Sequence, residues 1–263
     1  MQSQLPLKGQ LAFRLLSVRI AVVSDIHGNK PALEAVLAEI EREQVDRLVC
    51  LGDVAVGPQP GSALDRVAET GCPVVMGNWD AAFLNGLPEM EGELGEMLVE
   101  QAAWASEQLS DAERDLIRGF VPSLELPLGD GLDALFFHGS PRSFDDVILA
   151  ATPSEELDAM LDGSDAGVMV GGHTHIQLLR GHRDLVFVNP GSVGLPFRSD
   201  PAGEQVRVSP WAEYGLLTHE NGRLALDLRR VDYDTDTYLA STLETGMPHA
   251  QWWADCWVRP RGK

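Results

Sequence analysis

The first third of the chain alternates short β-branched runs with amphipathic helical segments, and this alternation limits the fold more than any other feature. Runs at 19–24, 48–51 and 74–76 predict three strands. Asn29 is expected to cap the first helix, with Pro31 in its first turn. Strands joined by crossover helices are typical of an α/β sheet with helices packed against it. We therefore predict one α/β domain.

Later segments predict a helical insertion followed by a mainly β second half. Only helical patterns occur over about 81–119, and Ser110 with Glu113 forms a capping box there. An Asn221-Gly222 turn is expected to join two antiparallel strands. The other predicted elements are a helix at 60–69, strands at 124–126, 135–137, 168–170 and 185–188, a helix from about Ser154, and the hairpin strands at 214–218 and 224–231.

The ends of the chain are predicted to lie outside the main domain. Residues 1–17 are interpreted as an N-terminal extension, 18–245 as the domain, and 246–263 as a polar C-terminal tail. The tail carries Trp252, Trp253 and Trp257, which could cover the edge of the core or form a subunit contact, so a homo-oligomer stays open.

Charge narrows the class of binding partner, and the cysteines and apolar runs bear on the cellular location. The 263 residues include 40 acidic and 20 basic side chains, a formal charge of −20, which disfavours non-specific nucleic-acid binding and anionic membranes. A small phosphorylated substrate remains compatible, because bound cations can invert the field in a site. Three cysteines without paired spacing are expected to be free thiols. No apolar run is long enough to span a bilayer, and the apolar stretch at 11–16 is too short for a signal peptide, so a cytoplasmic location is expected.

Five polar elements follow predicted strand ends, which is where open α/β sheets bind ligands. Each element taken alone has an ordinary structural explanation: a turn, a helix cap or a buried structural histidine. Four of the seven histidines nevertheless lie in these five elements. The elements are Asp25-Ile26-His27, Gly52-Asp53, Gly77-Asn78-Trp79-Asp80, His138-Gly139 and Gly171-Gly172-His173-Thr174-His175.

The residue types in these elements are those of a metal site. Asp25 and His27 combine a carboxylate with an imidazole, which suits Mn, Fe, Ni or Zn better than Ca or Mg. Asp53 follows Gly52, which lets the chain turn sharply and leaves the carboxylate at the strand end. A carboxylate has two oxygens and can bridge two ions, whereas a histidine cannot.

In this order the elements resemble the signature of the calcineurin-like metallophosphoesterase superfamily: Asp-x-His, Gly-Asp, Gly-Asn, His and Gly-His-x-His. The run Asn189-Pro190-Gly191-Ser192-Val193-Gly194 is typical of the small bacterial and archaeal phosphodiesterase branch. The resemblance covers about residues 19–232. It implies a four-layer α/β/β/α sandwich of two mixed sheets flanked by helices, with a helical insertion.

The resemblance also implies a role for each matching residue. Asp25, His27 and His175 would hold one divalent transition metal ion, Asn78, His138 and His173 a second, and Asp53 would bridge both. Such ions lie roughly 3.5–4 Å apart and lower the pKa of a bridging water, which supplies the attacking hydroxide. Manganese is the first choice, with iron, nickel or zinc as alternatives. The catalytic residues implied are Asp53, Asn78, Asp80 and His173, with Asn78 also contacting substrate.

One position departs from the pattern. Many relatives have a histidine after the motif asparagine, where this chain has Trp79, and tryptophan cannot act as an acid. Asp80 keeps an acidic residue nearby and is expected to orient a ligand or water. Because general acid help is typically worth about 10²–10⁴-fold, we expect weak turnover of alkyl phosphomonoesters and better turnover of diesters or aryl esters. Arg198 is expected to contact a substrate phosphate.

These observations favour a metal-dependent phosphodiesterase for small nucleotides, such as cyclic or dinucleoside phosphates. A phosphomonoesterase or phosphoprotein phosphatase is the nearest alternative. A non-catalytic metal-binding scaffold is the alternative of another class, although no ligand position of the signature is lost here. His182, His219 and His249 have no companion motif and are interpreted as structural or solvent-exposed.

Overall fold

The computed structural model describes residues 17–198 and 206–258, which contain nine strands and eight helices. The strands are β1 (Ser17–Val23), β2 (Arg47–Cys50), β3 (Leu124–Gly129), β4 (Leu132–Phe136), β5 (Val168–Val170), β6 (Leu178–His182), β7 (Leu185–Asn189), β8 (Trp211–Glu220) and β9 (Arg223–Asp232). The helices are α1 (Lys30–Glu43), α2 (Pro60–Thr70), α3 (Asn78–Asn85), α4 (Gly92–Glu107), α5 (Asp111–Arg118), α6 (Ser154–Leu161), α7 (Thr235–Thr242) and α8 (Ala250–Asp255). The N-terminal extension lies outside the described residues except for Ser17, which begins β1, and so do residues 259–263 of the tail.

The first sheet has the strand order β2-β1-β8-β9. β1 and β2 are parallel, while β8 is antiparallel to both β1 and β9. The hairpin between β8 and β9 turns at Asn221 and Gly222, whose φ angles are +51° and +74°. Two positive φ values are what a type I′ turn requires, so this predicted hairpin is confirmed.

The second sheet has the order β3-β4-β5-β7-β6, with β4, β5 and β7 parallel and both edge strands antiparallel. The sequence analysis missed β6, which pairs with β7 and contains Gly181 and His182. Three of its five residues are polar or glycine, so it lacks the apolar alternation used to recognise a strand.

The two sheets pack face to face with helices outside them. Ile20 and Val22 of β1 face the second sheet, whereas Ala21 and Val23 pack with α1 and α2. On the other side, Met169 of β5 packs with α6. Because successive side chains of a strand point to opposite faces of the sheet, the apolar side chains form three separate layers, one between the sheets and one between each sheet and its helices. The mixed two-sheet fold flanked by helices is confirmed.

The third predicted strand, 74–76, is wrong as a full strand. Val74 forms one isolated bridge to Cys50, and Val75 forms another to Val121. These two single bridges extend the edge of the first sheet beyond β2 without building a ladder. The segment still delivers the chain to Gly77 and the site.

The helical segment contains α3, α4 and α5, and the predicted capping box at the start of α5 is confirmed by reciprocal hydrogen bonds between Ser110 and Glu113. At the other end of the chain, α7 and α8 pack together, and Trp253 and Trp257 are buried in a cluster with Tyr238. These two indoles therefore cover the edge of the core. Across 17–198 and 206–258, no helix combines the length and hydropathy needed to cross a membrane.

Candidate metal centre

The seven donor residues expected from the sequence converge where the strands of both sheets end. Parallel strands place their carboxyl ends at one edge: Asp25 follows β1, Asp53 follows β2, His138 follows β4 and His173 follows β5. Most of the seven donors are buried, but Asn78 and His173 are only half-buried. These two residues mark the side of the cluster that solvent or a substrate can reach.

The backbone of most donors is in the left-handed region, which the sequence did not reveal. The φ angles are +54° at Asp25, +49° at His27, +51° at Asp53, +65° at His173 and +58° at His175. Such conformations are unfavourable for non-glycine residues and collect at functional sites. Their concentration in one cluster indicates that surrounding contacts hold these side chains in place.

The glycines of the motifs allow the loops to approach this closely. Gly52 has a φ of +91°, and a Cβ there would overlap the backbone of Gly77. A Cβ at Gly172 would overlap the hydroxyl of Ser24. The glycines of the Gly-Asp and Gly-Gly-His sequences are therefore required by close contacts between the loops.

The first donor group consists of Asp25, His27 and His175. Asp25 Oδ1 lies 3.2 Å from His175 Nε2 and 3.8 Å from His27 Nε2. The two Nε2 atoms are 3.0 Å apart. One donor atom from each residue falls within 4.8 Å of the others, a spacing that fits a shared ion.

The second donor group consists of Asn78, His138 and His173. Asn78 Oδ1 lies 3.0 Å from His138 Nε2 and 3.1 Å from His173 Nδ1. The three atoms are one amide oxygen and two imidazole nitrogens, so this group contains no carboxylate of its own.

Asp53 lies between the two groups. Its Oδ2 is 3.8 Å from His27 Nε2 in the first group and 3.6 Å from His138 Nε2 in the second. Its Oδ1 accepts a hydrogen bond of 2.9 Å from the backbone N–H of Trp79. The hydrogen bond to Oδ1 thus orients the Asp53 carboxylate, and Oδ2 faces both donor groups.

The hydrogen bonds at the Nδ1 atoms of three histidines show which ring nitrogen is left to face a cation. Backbone carbonyls of Val56, Leu51 and Leu195 accept from Nδ1 of His27, His138 and His175 at 3.2, 2.7 and 3.0 Å. A carbonyl can only accept, so each Nδ1 carries the proton, and in the neutral ring Nε2 presents a lone pair. Lone pairs of His27 and His175 then face each other at 3.0 Å. Such an arrangement of acceptors is stabilised by a cation between them.

The carboxylates of Asp25 and Asp53 also indicate that a cation fits between the donor groups. Asp25 Oδ1 is buried and has no hydrogen-bond partner among the described residues, although a buried acceptor ordinarily has one. Burial, together with Asp80 and Asp25, raises the pKa of Asp53 well above its usual value. Buried carboxylates that lie close together repel one another, and a bound cation offsets this repulsion. The residues present therefore fit divalent metal ions.

The imidazoles are available to bind metal at neutral pH. Burial, and secondarily the interactions with other histidines, lower the pKa of His27 to about 4 and that of His173 to about 3. Both rings are therefore unprotonated near pH 7, as a metal ligand must be. Nitrogen and oxygen donors together suit Mn, Fe, Ni or Zn.

The Asn-Pro-Gly-Ser segment, which begins at the last residue of β7, forms hydrogen bonds to the two loops that carry the first donor group. Asn189 Nδ2 donates to the Gly172 carbonyl at 2.6 Å and to Thr174 Oγ1 at 3.0 Å. Ser192 Oγ donates to the Asp25 carbonyl at 2.6 Å. The sequence indicated a family likeness in this segment but not this role. We assign Asn189 and Ser192 as positioning residues for the strained ligand loops.

The contacts of Asp80 indicate a structural role, and the catalytic role expected from the sequence stays a prediction. Its Oδ2 accepts from the N–H groups of Asp53 and Gly77 at 2.7 and 3.1 Å, and its Oδ1 accepts from Val54 at 3.2 Å. The side chain is fully buried. Asp80 holds the backbone of the bridging residue in position, and both of its oxygens are engaged by the backbone.

We expect Asp80→Asn to lower the free energy of unfolding of the metal-free protein by about 1–3 kcal/mol, because an amide leaves buried N–H donors unpaired. Urea denaturation measures this change. Asp115→Asn is the matched control, since Asp115 is exposed and only pairs with Arg118, and it is expected to change little. Unchanged stability with lost hydrolysis would instead support the direct catalytic role.

The other candidate residues of the sequence analysis have the following contacts. The half-buried side chain of Trp79 packs against the core cluster under α1 and α2. Arg198 is exposed, and its backbone N–H bonds to the Arg207 carbonyl; its contact with phosphate remains a proposal. Three other histidines bond elsewhere, His182 to Asp158, His219 to the Leu128 carbonyl and His249 to Glu100.

Comparison with known proteins agrees with the family that the sequence motifs resemble. A family model described as the calcineurin-like phosphoesterase superfamily domain matches residues 18–208. The chain is 27% identical over 198 residues to the uncharacterized protein MJ0912 of Methanocaldococcus jannaschii, a match covering 67% of this chain and 76% of that protein.

Two solved structures share the fold. A metallophosphoesterase from Sphaerobacter thermophilus has a TM-score of 0.67 at 22% identity, covering 90% of this chain and 97% of that one. The hypothetical protein PH1004 from Pyrococcus horikoshii OT3 has a TM-score of 0.75 at 19% identity, covering 93% and 100%.

Proposed function

Because the chain belongs to the calcineurin-like phosphoesterase superfamily, we propose that it is a phosphodiesterase that hydrolyses small nucleotide phosphodiesters at a centre of two divalent metal ions. The observation that carries this proposal is the position of Asp53, whose Oδ2 faces a histidine of each donor group at 3.8 and 3.6 Å. Two ions bound there would clamp the phosphoryl oxygens and lower the pKa of a water between them. Manganese is the metal we propose first, since the donors mix imidazole with carboxylate.

The residues beside the second donor group favour substrates whose leaving group needs no proton. Trp79 has no acidic proton to give, and the carboxylate of Asp80 is buried and bonded to three backbone N–H groups. An alkoxide leaving without protonation is slow, whereas an aryloxide leaves more readily. This local lack of an acid supports aryl esters over alkyl esters.

The acidic surface gives a reason to prefer diesters over monoesters. The formal charge of −20 repels anions at long range. A phosphodiester carries one negative charge at neutral pH, and a monoester carries up to two. Repulsion on approach is therefore smaller for the diester.

Parallel assays with Mn test the preference. We expect bis-p-nitrophenyl phosphate to be hydrolysed with a higher kcat/KM than p-nitrophenyl phosphate, and glycerol 2-phosphate to be turned over very slowly. Trp79→His should raise the rate on glycerol 2-phosphate by about 10-fold or more, toward the range typical of general acids. Trp79→Phe is the matched control and should not raise it.

Three outcomes would contradict the proposal. A strong preference for the monoester would favour the phosphomonoesterase or phosphatase alternative. No increase with Trp79→His would mean that residue 79 does not lie at the leaving group. Absence of bound transition metal together with absence of Mn-stimulated hydrolysis would favour the non-catalytic scaffold.

A further inference from the structure

An apolar cavity of about 160 Å³ lies between the helical insertion and the C-terminal helix. Every described residue that lines it is aliphatic, aromatic or cysteine. Burial, with a smaller effect of Asp255, raises the pKa of the Cys256 thiol to about 11, so this wall is uncharged as well. The lining includes Leu94 and Leu98 of α4, Leu195, Phe197, Trp252 and Trp257.

The cavity shares a wall with the first donor group. The Leu195 carbonyl accepts from His175 Nδ1 at 3.0 Å, and the Phe197 N–H donates to the His175 carbonyl at 3.1 Å. The rings of Phe197 and His175 lie 4.5 Å apart between centroids. One aromatic ring therefore separates the cavity from a metal ligand.

We propose that this cavity binds an apolar group of the phosphodiester substrate, with the size of one aromatic ring or a short alkyl chain. The proposal rests on the proposed function and narrows its substrates to nucleotide diesters whose second ester group is apolar. An apolar cavity of about 150 Å³ in another protein binds benzene, so the volume here suits a single ring. A nucleobase is a poorer occupant, because its polar edge would be buried without partners in an apolar wall.

The position of the cavity explains how an acidic enzyme would gain affinity for a small ester. The phosphate is held at the donor groups, and the apolar group is removed from water beside His175. Even a single methylene in an apolar pocket changes kcat/KM by about 10–200-fold. A phenyl group is therefore expected to be favoured over a methyl group by about 10-fold or more.

The test compares p-nitrophenyl phenyl phosphate with p-nitrophenyl methyl phosphate in the presence of Mn. Both esters release p-nitrophenolate, and the difference in their intrinsic reactivity is the same for every variant, so a change of the kcat/KM ratio between variants reports the cavity. We expect the wild type to prefer the phenyl ester by about 10-fold or more. Leu98→Trp, which places a larger side chain in the cavity, should lower this ratio toward that of the uncatalysed hydrolysis. Leu116→Trp is the matched control: it makes the same change at a leucine of α5 that is 38% exposed and does not line the cavity, and it should keep the wild-type ratio.

A second measurement is independent of catalysis. Fluorobenzene titrated into the metal-free protein should show saturable broadening of its ¹⁹F signal with the wild type and Leu116→Trp, and none with Leu98→Trp. Equal kcat/KM values for the two esters in the wild type, or no fluorobenzene binding, would overturn the cavity proposal alone. Hydrolysis of neither ester by Mn-loaded protein would overturn the proposed function and the substrate inference together.

Discussion

Asp53→Asn is expected to lower kcat/KM for bis-p-nitrophenyl phosphate by about 10²–10⁴-fold, because bound metal ions are worth several kcal/mol of transition-state stabilisation. The amide oxygen can still accept from the Trp79 N–H, which now bonds Asp53 Oδ1 at 2.9 Å. The amide NH₂ then replaces the oxygen that faces His27 and His138. An NH₂ group has no lone pair for a cation, so the link between the two donor groups is lost.

The fold is expected to survive this substitution. Asparagine has nearly the shape of aspartate, and the change removes a buried carboxylate whose pKa is raised first by burial and then by Asp80 and Asp25. Circular dichroism and the urea midpoint of the metal-free protein should therefore stay close to those of the wild type. Asp65→Asn, at an exposed position of α2, makes the same charge change and should keep full activity. Near-normal turnover by Asp53→Asn would refute the bridging assignment.

Removal of metal is expected to abolish diester hydrolysis and to lower the melting temperature. A ligand present at 100 times its Kd stabilises the native state by about 2.7 kcal/mol. In a protein of this size each kcal/mol shifts Tm by about 2–4 °C. Mn should therefore raise Tm by about 5 °C or more for each ion bound, because it separates the facing Nε2 lone pairs of His27 and His175 and pairs with the unpartnered Asp25 Oδ1.

Differential scanning calorimetry of chelated and Mn-reconstituted protein measures this shift. Asp53→Asn should show a smaller increase than the wild type, while Asp65→Asn should match it. Re-addition of Mn should restore hydrolysis in the wild type. A Tm that does not respond to millimolar Mn would mean that the donor cluster is stabilised without metal.

The sequence predicted the fold well where local patterns are strong. Alternation and turn chemistry identified the hairpin around Asn221 and Gly222, and the cap at Asn29 is confirmed by its hydrogen bond from the Ala32 N–H. It failed where tertiary pairing decides the structure. β6 has a weak apolar pattern, and 74–76 pairs through single bridges only.

For the site, the sequence supplied the residue types and the structure supplied their arrangement. The resemblance to the family signature implied the seven donors, but not the left-handed backbone of residues such as His173. The backbone bonds of Asp80 and the roles of Asn189 and Ser192 depend on loops distant in sequence. The apolar cavity likewise combines α4 with α8, and no local motif encodes such a contact.

Anomalous diffraction from crystals of the Mn-reconstituted protein would locate the cations directly. We expect two peaks per chain, one against Asp25, His27 and His175 and the other against Asn78, His138 and His173, with Asp53 Oδ2 reaching both. A single peak contacted by only one donor group, or peaks only at surface carboxylates, would contradict a two-cation centre.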